Sequence, residues 1–141
     1  MIRAALLLLF LQAPPQPTAD LGRLAESARR AFQQREFNAL FDAREPVRLE
    51  LPNQPASVSV AGRVAAAALS GLVRRTEDVS IDGVGAAVVA EGHGYVELRR
   101  VFRAVGTQEP HTQRILVSAR LAEGRWRVTE IWVSPADAPT P

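Results

Sequence analysis

From Thr76 onward, apolar residues fall at alternate positions in four runs, about residues 78–90, 94–105, 112–122 and 125–133. Turn residues separate the runs at Gly92 to Gly94, at Gly106 to Pro110, and at Glu123 and Gly124. A period of two marks strands with one buried face, and the short links predict an antiparallel meander of four strands.

The first half of the chain has a different texture. Leu21, Leu24, Ala25, Ala28 and Phe32 recur at helical spacing behind Asp20, a residue suited to cap a helix start. Phe37, Leu40 and Phe41 continue as a short second helix that Pro46 stops. In "VRLEL", residues 47–51, alternation returns as a half-buried strand, and Pro52 and Pro55 then enforce a loop. The Ala-rich run "SVAGRVAAAALSGLVRR" predicts a third helix, capped by Ser59, with Val60, Val64, Ala67, Ala68 and Leu72 as its buried stripe. The expected architecture is therefore α+β, with three helices packed on one face of a strongly bent, mostly antiparallel sheet.

Residues 20–133 make one domain, and both ends read as disordered: a Pro-rich tether over 12–19 and the tail "SPADAPTP" from Ser134. Ahead of the tether stand one Arg and an apolar run from Ala4 to Leu11, too short for a span, which needs about 20 residues. This is the pattern of a secretory signal peptide, with a cut after Ala13 or Ala19. The expected location is periplasmic or extracellular, with an uncleaved anchor as the alternative and no membrane span after processing. The chain has no Cys, so neither a disulfide nor lipoprotein attachment is available, and the core alone must hold the domain.

Charge removes one function class. The sequence pI of about 10.3 comes from basic residues that are all Arg, while the formal net charge is only +2. Those arginines are interleaved with 15 acids, and no basic tract suited to tracking phosphates occurs, so no nucleic-acid partner is expected. His93 and His111 fall in turns, away from any carboxylate cluster, and neither a metal site nor a cofactor is expected.

Strand register points to one site. A two-residue turn at Glu123 and Gly124 sets Leu121 opposite Trp126, Ala119 opposite Val128, Val117 opposite Glu130 and Ile115 opposite Trp132. Pairing Val105 with Thr112 sets Arg100 beside Val117, and pairing Ala90 with Tyr95 sets Gly85 opposite Arg100 and Gly83 opposite Phe102. Arg100 and Glu130 are then the only charges on an apolar face, about 9–10 Å apart across Val117 at ordinary strand spacing. The face floors a pocket of Arg100, Glu130, Trp126 and Trp132, with Tyr95 at its mouth. Such a pair serves as a structural salt bridge or as an anchor for an acidic ligand. Catalysis fits poorly, because Arg100 would lower the pKa of Glu130 while a general base needs it raised. A bulge near Glu130 would reverse the assignment and bring Ile131 and Val133 inside.

The order helix, helix, strand, helix, long meander, closed by "GRWRVTEIWV", resembles the cone-shaped nuclear transport factor 2-like superfamily over residues 20–133. The resemblance is greatest to its secreted bacterial members. It implies helices over a bent sheet with an internal cavity. The Tyr and Asp constellation of the superfamily's isomerases and the His and Asp pair of its dehydratases have no counterpart in this sequence.

Three functions follow as expectations. The first is a non-catalytic exported module that binds a small apolar or acidic ligand or serves as an accessory domain. The second is a cone-fold isomerase or lyase. The third is an interaction module that dimerises through the outer sheet face at Arg114, Leu116, Ile131 and Val133.

Overall fold

In a computed structural model, which describes residues 17–52, 54 and 57–136, two helices and six strands build one mixed sheet. Residues 1–16, which hold the expected signal peptide and most of the expected tether, and residues 137–141 of the expected tail lie outside the described residues.

Helix α1 (Pro17–Gln34) begins inside the expected tether, at a proline. Proline suits a first turn, where its missing N–H would have had no partner. Leu21, Ala28, Ala31 and Phe32 form the buried stripe of α1. The helix ends at Arg35, whose backbone is left-handed with φ 58°. Glu36 N–H reaches the Ala31 carbonyl at 3.1 Å and Arg35 N–H reaches that of Phe32 at 3.3 Å, a Schellman closure with Arg where Gly is usual.

The expected second helix is only a 3-10 turn, Asn38–Leu40. It stays short, yet it seats Phe37 edge-on against Phe32, with ring centroids 5.0 Å apart. Strand β1 (Pro46–Glu50) alternates as expected, with Val47 and Leu49 buried.

The third expected helix is corrected in extent and in face. Val58–Ala61 forms a short strand, β2, antiparallel to β1, so Ser59 is a strand residue. Helix α2 (Gly62–Val73) follows with no side-chain cap. Its buried residues are Gly62, Ala65, Ala66, Leu69 and Val73, while Val64 is 47% exposed. In so Ala-rich a segment several stripes are apolar, and the larger Leu69 and Val73 decide which one packs. Two helices, not three, cover the sheet.

The meander consists of β3 (Thr76–Ala90), β4 (His93–Ala104), β5 (His111–Ala122) and β6 (Arg125–Pro135), all antiparallel. Strand β6 also pairs in parallel with β1, which gives the order β2-β1-β6-β5-β4-β3. Ser134 and Pro135 belong to β6 and not to the tail. The β5–β6 turn is Glu123 at φ 53° and Gly124 at φ 74°, the two left-handed positions that a type I′ hairpin requires.

The core lies between the helices and the inner sheet face, where Val96, Leu98, Ile115, Val117, Ile131 and Val133 are all buried. Gly94 belongs to it for a steric reason: a Cβ there would come within 2.9 Å of Leu21 Cδ1, so its absence lets α1 lie close on β4.

Candidate functional site

The register places the predicted site residues in three separate regions. Across β5 and β6 the pairing is as expected from Ala122 with Arg125 down to Ala119 with Val128, and then a bulge intervenes. Thr129 is the extra residue, its hydroxyl 3.3 Å from the Ser118 carbonyl oxygen. Beyond it Ser118 faces Glu130, Val117 faces Ile131 and Leu116 faces Trp132. Glu130 and Trp132 therefore point to the outer face, half-buried, while Ile131 and Val133 enter the core. This corrects the outer patch, which keeps Arg114 and Leu116 but gains Glu130 and Trp132 in place of Ile131 and Val133. Tyr95, opposite Ser118, is also half-buried on that face.

Arg100 does point inward and is fully buried, but its neighbours differ from those expected. Strand β5 lies four residues from the anticipated register, so Arg100 faces Gln113 and not Val117. An even shift keeps the face and changes the partner. The β3–β4 turn is tighter than expected, with Ala90 opposite His93, and with bulges at Val88/Ala90 and Gly83/Gly85 this puts Ile81 opposite Arg100, Gly83 opposite Leu98 and Gly85 opposite Glu97. The Arg100–Glu130 pair is therefore not formed.

Arg100 instead organises a buried polar knot. Its Nε donates to Asp78 Oδ1 at 2.7 Å, Nη1 to Gln113 Oε1 at 3.0 Å and Nη2 to Thr76 Oγ1 at 2.5 Å. Its guanidinium carbon sits 4.4 Å from the centroid of the Phe102 ring. Thr76 Oγ1 in turn donates to the Val73 carbonyl at 2.7 Å, at the end of α2. Arg35 donates to that same carbonyl at 2.9 Å and to the Thr76 carbonyl at 2.5 Å. Burial pulls the Arg100 guanidinium below its ordinary value, against the opposing pull of Asp78. The knot ties the C-terminal ends of both helices to β3, β4 and β5. Nothing at sequence level marked Asp78, Thr76, Gln113 or Arg35, because each is a common surface type in a locally polar stretch.

Trp126 lies in the third region. It lines a cleft of about 740 Å³ formed by the start of α1, the loop that carries Leu40, Phe41 and Asp42, and the β5–β6 turn. Leu24, Leu40, Phe41, Val47 and Val128 supply its apolar surface. Among the polar lining, Arg127 pairs with Glu45 at 2.5 Å and Arg23 approaches Asp20 at 3.7 Å. Arg125, exposed at the edge, has no ion-pair partner among the described residues. The loop wall is fixed from behind, since Gly62 N–H donates to the Glu45 carbonyl at 2.9 Å and Arg63 N–H to the Ala43 carbonyl at 3.2 Å. His93 and His111 are both exposed. Among the described residues no group of three metal-ligating side chains occurs, and no helix is long and apolar enough to cross a membrane.

The architecture matches solved structures over nearly their whole length. A ketosteroid isomerase-like protein from Erwinia carotovora atroseptica superimposes with a TM-score of 0.69 at 14% identity, covering 88% of this chain and 99% of that one. The fold is the nuclear transport factor 2-like cone. A protein of that type and of unknown function from Shewanella oneidensis gives a TM-score of 0.60 at 12% identity, covering 84% and 99% of the two chains. A DUF4783 family protein from Bacteroides uniformis gives 0.56 at 15%, covering 86% and 98%. No family model and no curated protein matches the sequence. At these identities the likeness extends to the cone fold alone. Within it, apolar side chains and the Arg100 knot occupy the inner face of the meander, and the large cleft opens beside Trp126.

Proposed function

We propose that the chain is a non-catalytic exported module of the cone fold that holds a small amphipathic ligand in the cleft beside Trp126. The ligand's apolar body lies against Trp126, Leu24 and Phe41, and its acidic group is directed to Arg125. The observation that carries this reading is where charge is already satisfied. Asp78, Thr76 and Gln113 engage all three nitrogens of Arg100, the one charged side chain buried on the inner face among the described residues. Among the described residues the interior thus offers neither an open anchor nor a buried carboxylate or imidazole to act as a general base. The cleft, in contrast, combines an aromatic wall with the unpaired Arg125. Export rests on the charged start and apolar run of residues 1–13. Helix α1 adds a condition, because a cut after Ala19 would remove its first three residues.

The chain has two tryptophans, so Trp132→Phe leaves Trp126 as the single reporter. Titration with medium-chain fatty acids and aromatic carboxylates is expected to change Trp126 emission saturably. Arg125→Ala should weaken the acids but not the matching neutral amides. A flat response across the panel, or equal loss for acids and amides, would overturn the proposal.

A further inference from the structure

The two free edges of the sheet are unlike. Strand β2 spans only four residues, Val58–Ala61, and runs straight into α2, whereas β3 spans 15 residues, Thr76–Ala90. Over Gly83 to Ala90, "GVGAAVVA", β3 carries neither a charged residue nor a proline, and all of these residues except Ala87 are exposed. Val84, Val88 and Val89 are 57%, 40% and 64% exposed. A Cβ built on Gly83 or Gly85 would meet nothing within 4 Å. Edge strands are usually blunted by Lys, by Pro, by bulges or by a covering element; this tract has bulges at Gly83/Gly85 and Val88/Ala90, but it has no Lys or Pro and stays exposed among the described residues.

Charge and shape select the occupant. Asp82 and Glu91 bracket the tract, about 30 Å apart at ordinary strand rise. Neither is in an ion pair among the described residues, and Arg29 acts on Asp82 only at a distance. A second copy paired antiparallel about the middle of the tract would set acid against acid at both ends. Bulges at Gly83/Gly85 and Val88/Ala90 also twist the edge, which a flexible strand follows more readily than the edge of a second folded copy. We propose that the β3 edge binds an extended peptide, uncharged over about eight residues and carrying Lys or Arg at both ends. Main-chain hydrogen bonds supply the affinity, and the two acids select the ends. This site is separate from the Trp126 cleft.

The probe is a labelled peptide, Lys-Thr-Val-Thr-Val-Thr-Val-Thr-Val-Lys, with a Glu-ended twin as control. The Lys-ended peptide is expected to bind roughly tenfold more tightly than its twin, with an advantage that shrinks as salt rises. Hydrogen exchange at the amides of Gly83 to Ala90 should slow when it binds. The double variant Asp82→Lys with Glu91→Lys, both exposed, should invert the preference while far-UV circular dichroism stays unchanged. An unaltered preference in that variant, protection confined to other strands, or β3 protection that arises from dimerisation without peptide would each overturn the proposal.

Discussion

Asp78 Oδ1 lies 2.7 Å from the Nε of Arg100, a guanidinium with no solvent exposure, while the Asp78 side chain remains 17% exposed. Asp78 can therefore be removed without opening a large cavity, but Arg100 cannot lose it and recover water. Asp78→Ala should cost about 3–5 kcal/mol by leaving the buried cation without its counter-charge. Replacing Asp78 and Arg100 together with apolar residues should cost much less. Glu130→Ala, on the outer face, should cost about 1 kcal/mol or less. Urea unfolding of the three variants checks the ordering, and a cycle with no coupling between Asp78 and Arg100 would refute it.

Helix α2 offers a paired test at two glycines. A Cβ on Gly62 would sit 1.9 Å from the Asp42 carbonyl oxygen, whereas one on Gly71 would meet nothing within 4 Å. Gly62→Ala must push back the loop that walls the Trp126 cleft, and it should destabilise by roughly 1–3 kcal/mol. Gly71→Ala should instead stabilise by roughly 0.5–1 kcal/mol, since it only removes backbone freedom from the unfolded chain. Thermal melts of the two single variants should move in opposite directions.

Arg35 has two roles, and substitutions separate them. Its left-handed backbone ends α1, and its guanidinium donates to the carbonyls of Val73 and Thr76. Arg35→Gly loses the side-chain bonds but relieves the backbone, while Arg35→Ala loses the bonds and keeps the strained conformation. The Ala variant should therefore be the less stable of the two by about 1 kcal/mol. Equal denaturation midpoints would mean that the backbone contributes nothing.

The meander was legible because alternation survives local errors. Arg100 falls on the inner face although the assumed pairing of Val105 with Thr112 put β5 four residues out of register, since an even slip preserves side-chain direction. Its partners were not legible, because Gln113 is assigned by that same register and Asp78 by the bulged pairing of β3 with β4. The segment from Val58 to Val73 failed for another reason. Val58 and Val60 alternate, but Ser59 also fits a helix cap, and the following alanines weigh every helix face almost alike. A four-residue strand paired with β1 settles a choice that local pattern leaves open.

Glu130 carried its own signal. An isolated acid at a supposed core position, with Val128 and Ile131 three apart on either side, is what an extra residue in the strand produces. Thr129 is that residue, and its effect can be tested by removal. Deleting Thr129 would join Val128 directly to Glu130 and leave Ser118 opposite Glu130, Val117 opposite Ile131 and Leu116 opposite Trp132, the same partners without the bulge. Ile131 and Val133 would stay in the core, Glu130 and Trp132 would stay outside, and the parallel pairing of Ile131 with Leu49 would be kept. The deletion should therefore keep a cooperative melt and cost about 1 kcal/mol, an ordinary value for a single change. Thr129→Ala keeps the bulge, removes only the hydroxyl near the Ser118 carbonyl, and should cost about 1 kcal/mol or less. If the deletion variant lost cooperative melting while the Ala variant kept it, Thr129 would not be the residue that β6 accommodates as a bulge.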